Sequence, residues 1–133
     1  MPNGIPGVAA RLPILFSEGV SKGRLTLNQF VALSATNHAK TYGLYPRKGT
    51  IAVGSDADIA IWDPKKAMTI TNANQRHGSD YTPYEGLKVK GWPVLTMVRG
   101  QVVMREGEIV GRPGSGAYVS RDKSPVRAGR ARR

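Results

Sequence analysis

The sequence predicts an α+β fold in which helices come first and strands follow. Two observations carry that reading. Between Thr26 and Gly43 the apolar residues fall at helical spacing, and after Gly49 they alternate or run together at strand spacing. Runs of one element type followed by runs of the other favour α+β over an alternating order. A third observation bounds it. From Arg112 onward the sequence is rich in Gly, Pro, Ser and Arg and has no periodicity.

Each element has a local reason. Residues 2–8, PNGIPGV, read as an ordered loop from the interior of something larger, because Gly and Pro dominate and no leader or helix cap opens the chain. The next stretch, RLPILFSEGVSKG, predicts a short helix that starts near Pro13 and stops by Gly23, since proline is tolerated in a first turn. In TLNQFVALSATNHAKTYGLYP, Thr26 and Gln29 make a capping box, and Leu27, Phe30 and Val31 form an apolar face. The residues SATN are expected to interrupt this helix, with Thr36 capping a second one that ends at Gly43 before Pro46.

TIAVGSDADIAIWDP predicts a strand ended by Pro64, and AMTITNA a second short strand. The polar run from Asn72 to Pro83 reads as a loop. The segments LKVKGWPVLTMVRG, QVVMREG and EIVG read as a meander, with turns at Arg99-Gly100 and Glu106-Gly107. No internal repeat is present.

Composition narrows the function. The 133 residues are 40% hydrophobic and contain no cysteine. This excludes a disulfide framework and a cysteine nucleophile, and it fits a soluble protein of the cytoplasm. No apolar run is long enough to span a membrane. The net charge is +11, and the last thirteen residues, RDKSPVRAGRARR, carry +5 of it. That tail reads as solvated and disordered. It has no aromatic residues to stack on bases, which argues against nucleic acid as a partner.

Few residues carry chemistry by themselves. The only histidines, His38 and His77, are far apart, and no metal-ligand spacing is present. His38 lies on the predicted helix and His77 in the polar loop. Asp56 and Asp58 read as turn aspartates that bond backbone amides. Nucleophile-elbow and phosphate-loop motifs are absent.

Four blocks taken together resemble a known family: PNGIPGV, LPILFSEGVSKGRLTLNQFV, TNHAKTYGLYPRKGTIAVGSDADIAIWDP and GWPVLTMVRGQVV. They are similar, in the same order, to the C-terminal portion of the cyclic amidohydrolases of the D-hydantoinase and dihydropyrimidinase group. The resemblance runs from the first residues to about Gly116, and GLYPRKGTIAVGSDADI is its most specific part.

The resemblance implies hydrolysis of a ring C–N amide bond in hydantoins or dihydropyrimidines, with two metal ions, usually zinc, supplying hydroxide. It implies that residues 1–49 form the end of a TIM-like (β/α)8 barrel. Residues 50–111 would then form strands of a small β-sandwich, and residues 112–133 a basic tail. It places Asn3 and Gly4 in a substrate-binding loop, where backbone or amide groups meet the donor and acceptor of a cyclic amide. Gly4 and Gly7 would permit unusual φ values there.

The family's metal ligands lie upstream of the matched segment, so no catalytic or metal-binding residue is assigned here and the chain alone is expected to be inactive. Intact family members are homo-oligomers, typically tetramers. The alternative is a non-enzymatic module that binds a subunit or nucleic acid through its basic tail.

Overall fold

The computed structural model of the chain describes residues 4–122. The first helix, α1, runs Val8–Leu15 and widens into a π-helical turn at Phe16–Ser21. It therefore begins a full turn before the position expected from Pro13. Pro13 sits inside α1, where it removes a single amide from the ladder, and it is buried together with Ala10. Burial of that face outweighs the missing bond.

Next come α2, Leu27–Val31, a π-helical turn at Ala32–Thr36, and α3, Asn37–Thr41. The capping box forms as read: the Thr26 amide donates to Gln29 Oε1 at 2.8 Å and the Gln29 amide donates to Thr26 Oγ1 at 3.2 Å. The expected break at SATN is instead a widening of a continuous helix. Thr36 does not cap α3; its backbone is helical, and its hydroxyl donates to Gly49 O at 2.7 Å. Gly43, at φ 70°, ends α3 in the left-handed conformation that glycine adopts without strain.

Four strands form one sheet in the order β1-β2-β3-β4. They are β1 Ile59–Thr69, β2 Lys88–Val98, β3 Gln101–Arg105 and β4 Glu108–Ile109. The pairs β2–β3 and β3–β4 are antiparallel. Both tight turns lie where the sequence placed them. Arg99 and Gly100 have φ 48° and 78°, and Glu106 and Gly107 have 47° and 86°, the positive pair that suits a two-residue hairpin.

Two strand expectations fail. Residues 50–58 join no strand, and Ile51 and Val53, which a strand would have to bury, stay open to solvent. Pro64 does not end its strand, and the two predicted strands are one. β1 is an edge strand, where a missing amide is tolerated. Asp63 Oδ1 accepts the amides of Lys65 and Lys66 at 2.8 and 3.2 Å beside the proline.

The chain divides into two compact units. The first comprises the chain up to Phe30 and Trp62–Pro93. Its core is Ala10, Ile70 and Val89, flanked by Ile14, Met68, Tyr84, Leu87 and Trp92. Beside it Phe16 stacks on Trp62 at 5.2 Å and meets Phe30 edge-on at 5.2 Å. Ser17 and Ser21 bond both backbone groups of Lys90: Ser17 Oγ accepts its amide and Ser21 Oγ donates to its carbonyl.

The second unit comprises Val31–Ile61 and the chain from Val94. An ion cluster ties its loops together. Lys48 Nζ bridges Asp56, at 2.8 Å, and Asp58, while Arg47 Nε donates to Asp56 Oδ2 at 3.0 Å. Asp58 Oδ1 accepts the Arg99 amide at 2.8 Å, which fastens the 56–58 turn to the β2–β3 hairpin. Both aspartates are thus structural, as read, but their partners are distant cations and a distant amide rather than amides of their own turn.

Hydrogen bonds that Lys48 donates to Asp56 and Asp58 push the Lys48 pKa up, and the Lys48 bond pulls Asp56 down. For Asp58 burial acts upward but is outweighed by Lys48 and the Arg99 amide, so its pKa also lies low. The lowered carboxylates contribute stability above the usual value near 4, and it is lost as pH falls through their lowered values. Lys48 contributes below its usual value of about 10.4, and that part is lost as pH rises through the raised value. Thermal midpoints of wild type and Lys48→Met are therefore expected to differ by a constant amount from about pH 5 to 10, converging at both extremes. Salt should shrink the gap in part, because each of the three side chains keeps between 19% and 34% of its surface open to solvent.

Candidate functional site

The loop before α1 is built by short-range geometry and held by one segment from far along the chain. The Gly7 amide donates to Ile5 O, and Gly7 O accepts the Arg11 amide, each at 2.9 Å, so the loop feeds directly into the helix. Gly7 has φ −107°, and neither Gly4 nor Gly7 adopts a left-handed φ. The unusual φ values expected of these glycines are not used. A Cβ on Gly7 would lie 3.7 Å from Tyr84 Oη, an ordinary contact, and one on Gly4 would meet open space. What the glycine at Gly4 leaves is an exposed, uncrowded stretch of backbone that a ligand could approach.

Tyr81 and Tyr84 hold this loop. The Tyr81 hydroxyl donates to Gly4 O at 3.3 Å. Tyr84 lies beside Gly7 and packs against the core of the same unit. Tyr81 falls inside the polar run from Asn72 to Pro83 that reads as a loop, and Tyr84 lies just beyond it. Two tyrosines three apart in an otherwise polar run were the available signal. Of the predicted site residues, Gly4 is placed at this loop and Asn3 lies outside the described residues.

His38 lies on α3 and stacks on Tyr42 at 6.4 Å. His77 Nδ1 accepts the Ser79 amide at 3.2 Å, which puts the proton of the neutral ring on Nε2. That Nε2 is buried without a partner among the described residues, as are Asn72 Oδ1 and Gln75 Oε1. Among the described residues no group of three or more His, Cys, Asp or Glu could hold a metal ion. The donor set that the resemblance implies is not built from them. No helix among the described residues is long and apolar enough to cross a membrane.

Residues 5–103 match the model of the amidohydrolase family. This chain belongs to the amidohydrolase family. The amidohydrolase chain is 52% identical over 123 residues to a D-hydantoinase of Geobacillus stearothermophilus, covering 92% of this chain and 26% of that protein. It is 41% identical over 121 residues to a dihydropyrimidinase of Rattus norvegicus, covering 91% of this chain and 23% of that protein.

Among solved structures it matches a D-hydantoinase (dihydropyrimidinase) from Thermus sp. with a TM-score of 0.89 at 44% identity, over 93% of this chain and 27% of that one. The amidohydrolase chain thus spans about a quarter of the length of these relatives. The group named by the resemblance, D-hydantoinases and dihydropyrimidinases, is the group to which these relatives belong. The alternative of a module that binds nucleic acid through the tail draws no support from them.

Proposed function

We propose that this chain is the part of a cyclic-amide hydrolase that carries a substrate-contacting loop. Asn3 and Gly4 contact the ring amide of a hydantoin or dihydropyrimidine. The observation that carries the reading is the 52% identity to a D-hydantoinase over 92% of the chain. A ring –NH–C(=O)– needs an acceptor and a donor side by side, and exposed peptide groups at a glycine offer both without a side chain in the way. The open space beside Gly4 supports this.

In this reading residues 1–49 close a barrel, residues 50–111 complete a β-sandwich and residues 112–133 form a basic appendage. The intact enzyme is a metal-dependent cytoplasmic oligomer. The described residues do not fit a zinc pair, so this chain's part is to bind and orient the ring and not to activate water. Exposed apolar residues on α2 and its continuation, Leu27, Val31 and Leu33, support a further packing partner for those helices.

The test is a titration of the isotope-labelled chain with hydantoin and dihydrouracil. Shifts in the amide signals of Gly4 and Ile5 are expected at millimolar ligand, and their absence with both rings would overturn the substrate reading. The same preparation, supplied with zinc, is expected to release no ring-opened product. Turnover above the protein-free rate would refute the assignment of the metal ligands to residues other than these.

A further inference from the structure

We infer that Tyr81 is a positioning residue for the Gly4 loop, setting the orientation in which that loop meets a cyclic amide. The inference rests on the proposed function above and adds a residue to it. Three observations carry it.

The first is the hydrogen bond itself. Tyr81 Oη donates to Gly4 O at 3.3 Å, across 77 positions of sequence. A peptide plane is rigid, so restraining the Gly4 carbonyl also restrains the amide of Ile5 on the same plane.

The second is that Tyr81 is presented from a well-braced segment. Its neighbour Thr82 is buried, and Thr82 Oγ1 accepts the Tyr84 amide at 3.3 Å. The Leu87 amide donates to Tyr84 O at 3.0 Å, and Glu85 Oε2 accepts the Asn72 amide at 2.7 Å. A few residues on, the Ile70 amide donates to Leu87 O and Ile70 O accepts the Gly86 amide, each at 2.9 Å. The phenol is therefore fixed at its base, as a group that orients another must be.

The third is exposure. Tyr81 keeps 39% of its surface open, whereas Tyr84 is packed against the core. Tyr84 anchors the far end of the loop at Gly7 by packing. Tyr81 stays partly open, and the reach of its hydroxyl to Gly4 is a polar restraint on an exposed backbone. Such a restraint lowers the entropy that a ligand-binding loop loses when it closes on its ligand.

The experiment compares the wild-type chain, Tyr81→Phe and a chain with 4-aminophenylalanine at position 81, which retains a donor. Three quantities are read: the thermal midpoint, amide hydrogen exchange at Gly7, and the hydantoin Kd from the titration above. Tyr81→Phe is expected to keep the thermal midpoint, speed exchange at Gly7, whose amide is hydrogen-bonded within the loop, and weaken hydantoin binding about fivefold, the loss of one ordinary hydrogen bond. The 4-aminophenylalanine chain is expected to restore both exchange and binding. A purely structural role would lower the midpoint instead.

Unchanged exchange and unchanged Kd in Tyr81→Phe, with wild type binding normally, would overturn the inference and leave the proposed function standing. Failure of the amino variant to restore what Tyr81→Phe lost would also overturn it. A wild-type chain that shows no binding overturns the proposed function itself.

Discussion

Gly91→Ala is expected to destabilise the chain by about 3–5 kcal/mol, a large fraction of the stability of an ordinary domain. Two effects act together. Gly91 has φ 97°, where an alanine is strained by roughly 1–2 kcal/mol. A Cβ there would also lie 2.0 Å from Phe16 Cδ1 and 2.3 Å from Cε1. The ring cannot swing aside, because it is 3% exposed, stacked on Trp62 and edge-on to Phe30. Gly100→Ala separates the two effects. Gly100 has φ 78° but open space beside it, so its alanine variant should lose only the backbone part, about 1–2 kcal/mol. Urea midpoints of the two variants measure the difference, and equal losses would refute the steric argument.

Phe16→Ala is expected to cost about 3–5 kcal/mol, the usual range for removing a buried phenylalanine. The ring joins the π-helical turn after α1 to β1 through Trp62 and lies over Gly91 of β2. The two substitutions should not add. Once the ring is gone, the Gly91→Ala clash has no partner, and alanine at position 91 should then cost only its backbone strain. A double-mutant cycle by urea unfolding reads this coupling, and additive losses would show that Gly91 is glycine for another reason.

How legible the chain was depends on how far each feature reaches along the sequence. The Thr26–Gln29 capping box, the left-handed stop at Gly43 and the hairpin turns at Arg99-Gly100 and Glu106-Gly107 were all readable. The opening loop was readable as a candidate site through its family resemblance. The tyrosines that hold that loop were not, because nothing in SDYTPYEG says which distant carbonyl a phenol will meet. Pro64 misled for a similar reason. Whether a proline breaks a strand depends on whether the strand lies at an edge, and that is a property of the sheet.

By itself, then, the sequence determined the Thr26–Gln29 capping box, the stop at Gly43 and the hairpin turns, though not the expected Thr36 cap, together with membership of the amidohydrolase family through ordered motifs. Each cap or turn is closed by hydrogen bonds or φ angles within a few residues, so a short window contains both partners. Tertiary structure alone decided that Gly91 must be glycine, that Asp58 fastens a hairpin turn at Arg99, and that Tyr81 restrains Gly4. Those contacts join residues 41 to 77 positions apart in the two hydrogen-bonded cases. Their existence depends on the packing of whole elements against each other, which no local pattern encodes.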